Sequence, residues 1–184
     1  MKARSTLEKA RIINPIASDL WVESIRVEQR AGNTAMAKAL LAKSLQTNSS
    51  SGELWSLAIL MDPRPQRKSR SADALKKCEN DAHVVCTIAK LFWSERKYDK
   101  ARNWFNRAIQ TQSTLGDTYC WFLKFEIMHG TESTRLDVIS KCQEAEPKYG
   151  ELWTGISKDV ALSLKHLEIK DLVQLIASKL ENDL

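Results

Sequence analysis

Residues that interrupt regular structure are scarce in this chain, 6 glycines and 4 prolines in 184 positions, and with 43% hydrophobic and 28% charged residues, the content of an ordinary globular protein, nothing in the composition suggests disorder. No apolar run approaches the roughly 20 residues of a membrane-spanning helix. The opening Met1-Lys2-Ala3-Arg4-Ser5 leads into an amphipathic stretch and not a signal core, so no membrane partner is expected. Cysteine pairing motifs are missing as well. Cys78, Cys86, Cys120 and Cys142 form no C-x-x-C pair, which reads as core thiols in a reducing compartment and not as a metal or disulfide framework. Neither sign of charge dominates, with 28 basic and 23 acidic side chains giving +5. Such a balance favours an acidic partner without demanding nucleic acid. There is no Gly-rich phosphate loop and no Ser, His and Asp set with a nucleophile elbow. His83, His129 and His166 have no cysteine or carboxylate at ligand spacing. No catalytic residue, cofactor or metal is therefore expected.

What the chain does contain is a repeat. Asp19-Leu20-Trp21, Glu53-Leu54-Trp55 and Glu151-Leu152-Trp153 are near-identical, and the first two tryptophans stand 34 residues apart. From Trp55 the phase slips to 30, at Val85, and returns to 34 through Tyr119 and Trp153. A second ladder, of a basic residue followed by a small one, runs through Lys9-Ala10, Lys43-Ser44, Lys77-Cys78, Arg107-Ala108 and Lys141-Cys142, with spacings of 34, 34, 30 and 34. A period of that length is the signature of a helical-repeat solenoid. The expected fold is all-α, a right-handed α-solenoid of antiparallel helix pairs.

Hydrophobic periodicity divides each repeat into helices A and B. Helix A is expected near 19–31, 53–61, 83–95, 117–129 and 151–164; helix B near 35–45, 70–79, 98–111, 132–145 and 168–182. Gly32 and Gly130, each eleven residues past the large A-helix side chain, mark turns between them. The array reads as one domain over 1–184: a second helix alone over 1–14, full repeats over 18–47, 52–80, 82–112 and 116–146, and a divergent capping repeat over 149–184. The opening segment matches helix B without an A helix before it, so the chain is expected to begin mid-repeat. The last repeat carries Leu175 where the basic rung belongs, as terminal caps commonly depart from the pattern. The third compensates for Val85 with Phe92, Trp93, Trp104 and Phe105.

Trp21, Trp55, Tyr119 and Trp153 are expected as spacers between hairpins. Ala10, Ser44, Cys78, Ala108 and Cys142 are the small positions that let backbones approach to about 8–10 Å. Replacing Trp55 by alanine is expected to cost about 3–5 kcal/mol in denaturant unfolding. Glu28 and Glu126 share a repeat position, for which an ion pair to the following B helix, Glu28 to Lys38, is expected. One charge cluster stands out: Arg64, Arg67, Lys68 and Arg70, placed on a connector because Pro63 and Pro65 stop the helix. Solvent, an acidic protein surface and an RNA backbone all remain open as its counterpart. No aromatic residue is interleaved with it, so base stacking is not indicated.

The A helix with Trp near its start and an acid seven residues on (Trp21/Glu28, Tyr119/Glu126), followed by Ala-Arg-x-Trp-Phe-x-Arg-Ala-Ile at 101–109, resembles HAT repeats, the half-a-TPR family. Further strings are similar to the carboxy-terminal repeats of the pre-mRNA-processing factor six family. They are Arg4-Ser5-Thr6-Leu7-Glu8-Lys9-Ala10-Arg11, Arg64-Pro65-Gln66-Arg67, Asp73 to Glu79, Ala89 to Ser94 and Gly150-Glu151-Leu152-Trp153. The pattern departs at Asn48 to Ser51 and at 162–170. The resemblance implies a nuclear, non-enzymatic scaffold of pre-mRNA splicing that bridges components of the spliceosomal tri-snRNP, with other snRNP proteins as partners. RNA is secondary and self-association is open. A scaffold of another RNA-processing complex, in mRNA 3′-end or rRNA processing, is the alternative. In a scaffold of this kind helix A faces are expected to line a concave surface and helix B faces an outer wall.

Overall fold

A computed structural model describes residues 2–159 and 167–180. Among the described residues every regular element is a helix, and a single isolated bridge joins Leu115 to Tyr149. In chain order these are α1 (Lys2–Ile13), α2 (Ser18–Arg30), α3 (Thr34–Thr47), α4 (Gly52–Met61), α5 (Arg64–Lys77), α6 (Ala82–Ser94), α7 (Tyr98–Thr111), α8 (Gly116–His129), α9 (Glu132–Ala145), α10 (Glu151–Ser157) and α11 (Ile169–Lys179). The fold is an all-α array of helix hairpins. It packs as two compact units, Met1–Thr87 and Ile88–Leu184, whose boundary falls within α6.

In the first unit the A helices α2 and α4 pack on each other and on the B helices beside them. Trp21, Val22, Ile25, Ala37, Leu41, Leu54 and Ala58 form the core there. In the second unit α8 is the central element, packed by α7, α9, α10 and α11. Its core is aromatic. Phe105 stacks on Phe122 at 5.4 Å, and Trp93 meets Phe125 edge-on at 5.5 Å. Offset and T-shaped pairs of this kind add to the burial of large apolar surface. Helix α11 leans on α8 and α9 as well as on its own partner α10. Leu172, Val173, Ile176 and Ala177 are buried there, so the last helix covers the preceding hairpin.

The four B helices α3, α5, α7 and α9 are each 14 residues long. Ten residues past their first residue stand Ser44, Ala74, Ala108 and Cys142, and all four are fully buried. This register corrects the sequence-based ladder at one rung. Cys78 is buried, but it is the C-cap of α5, in the place held by Asn48 and Gln112 after α3 and α7. The small side chain at the helix-crossing position of the second repeat is Ala74.

The same register locates the four missing residues. Helix α4 has 10 residues where α2, α6 and α8 have 13 or 14. Proline disfavours the α conformation in the residue before it, and Asp62 is accordingly extended (φ −75°, ψ 148°), ending α4 a turn early. The cluster Arg64 to Arg70 does not lie on a connector, as expected from the prolines. Helix α5 begins at Arg64, not near 70, because a proline in the first helical turn removes only an N–H that has no intrahelical partner. Helix α10 ends at Ser157; residues 160–164 of the expected A helix, residues 181–182 of the expected B helix and His166 lie outside the described residues.

Candidate interaction surface

Trp21, Trp55 and Trp153 are buried, as are Val85 and Tyr119 at the same position. A buried indole requires a partner for its N–H. Trp21 Nε1 donates to the Pro15 carbonyl and Trp55 Nε1 to the Ser49 carbonyl, both at 2.8 Å and both six residues upstream. Each indole therefore ties down the turn that precedes its own helix. At Val85 there is no such donor, and the Asp81 carboxylate instead caps α6 through the backbone N–H groups of His83 (2.8 Å) and Val84 (3.4 Å). For α10 the cap comes from the preceding repeat: the Asp117 carboxylate accepts from Leu152 and Trp153 N–H at 3.2 and 2.9 Å. Gly116 permits this approach, since a Cβ there would collide with the Trp153 ring.

Glu28 and Glu126 do form ion pairs, but with the preceding B helix. Arg4 reaches Glu28 through two bonds, 2.6 and 2.9 Å, and Arg102 reaches Glu126 through 2.6 and 3.2 Å. Both pairs span 24 residues. The expected partner Lys38 is exposed and plays no part. Lys38 sits in its own helix at the position Arg102 holds in α7, a position that in α7 is paired with the next A helix and not with the one before. Glu126 is fully buried, with Thr134 Oγ1 donating a third bond at 2.7 Å. Bonding to Glu126 raises the pKa of Arg102 further. The Asn33 amide, and then the Arg4 guanidinium, hold Glu28 below the usual carboxylate range. Burial pushes the Cys142 thiol up to about 12 and the Cys78 thiol to about 11, so neither carries thiolate near neutral pH.

Two of the four cluster cations are turned inward. Arg67 Nε donates to the Asp62 carbonyl at 3.0 Å and Nη2 to the Leu60 carbonyl at 3.1 Å, while Arg70 Nε pairs with the Asp62 carboxylate at 2.8 Å. In the fourth repeat Arg135 does what Arg67 does, donating to the Glu126 and Ile127 carbonyls at 3.1 and 3.0 Å. An arginine in the first turn of helix B thus clamps the last carbonyls of helix A, where the helix dipole also favours a cation. Lys68 stays exposed, and Arg64 lies at the exposed start of α5. Sequence reading missed the clamp, although Arg67 and Arg135 stand 68 residues apart, two full periods. Ala10 is half-buried, on a helix with no fully buried residue.

The other histidines are ordinary parts of the fold. His129 Nε2 accepts from Trp93 Nε1 at 2.8 Å and stacks on Tyr98 at 4.2 Å; His83 is half-buried in the first turn of α6. Among the described residues no three His, Cys, Asp or Glu side chains come together as a metal site, and no helix is long and apolar enough to cross a membrane.

The family model described as "PRP6, TPR-like domain" matches residues 1–170. The chain is 44% identical over 165 residues to pre-mRNA-splicing factor prp1 of Schizosaccharomyces pombe, covering 90% of this chain and 18% of that protein. It is 50% identical over 119 residues to human pre-mRNA-processing factor 6, covering 65% and 12%. The chain thus spans less than a fifth of the length of these relatives. Among solved structures it resembles "Crystal structure of APC/C hetero-tetramer Cut9-Hcn1" with a TM-score of 0.61 at 10% identity, covering 97% of this chain and 39% of that one. That likeness concerns the fold alone.

Proposed function

The chain belongs to the PRP6 TPR-like family, and from that premise we propose that it is a non-enzymatic, protein-binding segment of a splicing scaffold, working in the nucleus. The observation that carries this reading is the 44% identity with a splicing factor over nine-tenths of the chain. Its partners are spliceosomal proteins, and its contribution is to bridge components of the tri-snRNP. The repeat architecture supports that role. Trp21, Trp55, Tyr119 and Trp153, with Ala10, Ser44, Ala74, Ala108 and Cys142, serve as packing positions, so the solvent side of each hairpin is left free to vary and to bind.

Crosslinking of the tagged full chain in nuclear extract, read by mass spectrometry, tests the assignment. Crosslinks from exposed helix positions to tri-snRNP proteins are expected. Crosslinks confined to a 3′-end or rRNA-processing complex would move the scaffold to that machine, and a set without any RNA-processing protein would overturn it. Sedimentation of the same chain distinguishes partner binding from self-association, for which a concentration-dependent mass is the mark.

A further inference from the structure

Helices α1, α3 and α5 carry twelve Lys and Arg side chains against two acids, Glu8 and Asp73. The corresponding helices of the second unit, α7 and α9, carry five against four. Within the first unit the two cation types divide their work. Arg4 pairs with Glu28, Arg67 and Arg70 hold the end of α4, and Arg11 lies 4.7 Å over the Trp21 ring. By contrast Lys9, Lys38, Lys43, Lys68, Lys76 and Lys77 are exposed, and among the described residues none of them forms an ion pair. The planar fork of arginine suits carbonyl and carboxylate partners, whereas lysine offers a mobile, hydrated point charge.

These lysines keep a register. Lys38 and Lys68 stand four residues past the first residue of α3 and α5, and Lys9 and Lys43 each precede the small residues Ala10 and Ser44. We propose that the solvent side of α1, α3 and α5 binds the phosphate backbone of structured RNA. The choice of RNA rests on the splicing assignment; the phosphate contact rests on the lysines alone. The exposed large apolar side chains of the first unit, Ile12, Ile13, Ile16 and Met36, are all aliphatic, so the stacking platform that single strands use is missing among its described residues. On α5 the solvent side, from Arg64 to Lys77, presents no large apolar anchor of the kind protein partners bury. On α5 charge without anchors fits a phosphate backbone, which is bound by counterion release and without reading of sequence, and the lysines of α1 and α3 extend the same charge beside Ile12, Ile13 and Met36.

The test uses the full chain and a fluorescent RNA hairpin of arbitrary sequence, titrated at several salt concentrations. The log of affinity should fall steeply with the log of salt, with a slope of about −4. Lys38→Glu/Lys68→Glu should weaken binding roughly tenfold or more at low salt and flatten the slope by about 2. Lys100→Glu/Lys148→Glu, the same charge change on exposed residues of the second unit, should alter affinity less than about twofold. Unchanged circular dichroism and melting are expected, since all four lysines are exposed. Equal losses in the two double variants, or no salt-dependent binding by the wild type, would overturn the proposal. So would capture of a polyglutamate peptide by these lysines without capture of the hairpin. Purified RNA contains no spliceosomal protein, so failure here is distinguishable from failure of the scaffold assignment.

Discussion

Gly32 in the first unit and Gly130 in the second occupy one slot in the sequence, eleven residues past Trp21 and Tyr119, yet they are there for different reasons. Gly32 has φ +75° and open space around it. Its N–H bonds to Gln29 O and that of Asn33 to Glu28 O, the paired bonds of a Schellman turn. Gly130 is extended (φ −102°, ψ −176°), and a Cβ on it would run into the Glu126 carboxylate and Thr134 Oγ1, and stand 2.8 Å from the Glu126 carbonyl. One glycine supplies a backbone angle and the other supplies room.

The contrast extends to whole hairpins. The first and third repeats use three-residue turns, 31–33 and 95–97, with a left-handed residue in the middle; Arg96, at φ 59°, repeats the bond pattern of Gly32. The second and fourth use two-residue turns, 62–63 and 130–131, closed by the Arg67 and Arg135 clamps. At the clamp position the first and third repeats have Ala37 and Ala101, both fully buried. Where the chain turns on itself through a left-handed residue, its own amides satisfy the A-helix carbonyls. Where it leaves extended, a side chain from the next helix does.

Substitutions can break this distinction. Gly130→Ala is expected to cost about 3 kcal/mol in denaturant unfolding, since Glu126 is held by Arg102 and Thr134 and has little freedom to move aside. A loss below that of Gly32→Ala would contradict the close-packing account. Arg67→Met and Arg135→Met should each cost about 1–2 kcal/mol, lowered from the full value of charged hydrogen bonds by partial exposure. Substituting Lys38, exposed and unpaired, should leave the melting temperature unchanged in the same assay. Gly32→Ala is expected to cost about 1 kcal/mol, from left-handed strain alone. Gly32→Asn should recover part of it, since asparagine tolerates that region.

The smallest effect is a pH dependence. Glu28 is held below its ordinary pKa, so it contributes stability above the usual carboxylate range, and that contribution is lost as pH falls through its folded value. Glu28→Gln should therefore flatten the acid limb of a stability–pH curve relative to the wild type and leave the alkaline limb alone. An unchanged acid limb would mean that Arg4 and Asn33 do not favour the ionised form.

The helix pairs and their packing positions could be read from the periodicity, because large and small side chains must recur wherever one hairpin is laid on the next. The register of α5 could not. Lys77-Cys78 imitates a rung of the ladder, and only the start of α5 at Arg64 puts Ala74 in the crossing position. The Arg64 to Arg70 cluster failed in a related way. Its charges are plain in the sequence, but which of them face inward depends on Asp62-Pro63 ending α4 one turn early and bringing bare carbonyls within reach of Arg67. The partner of Glu28 was misjudged because helix B of one repeat and helix A of the next meet across 24 residues, a distance that local spacing rules do not cover.

By itself the sequence determined that this protein is a stack of helix hairpins, and its resemblance to splicing-factor repeats named the family. The first is carried by features repeated four or five times, the second by single strings such as Arg4 to Arg11 and Asp73 to Glu79. Only the tertiary structure decided which charges are structural and which are free. A guanidinium and an ammonium count equally toward net charge, and whether either meets a carbonyl, a carboxylate or water is fixed by where the neighbouring helix ends.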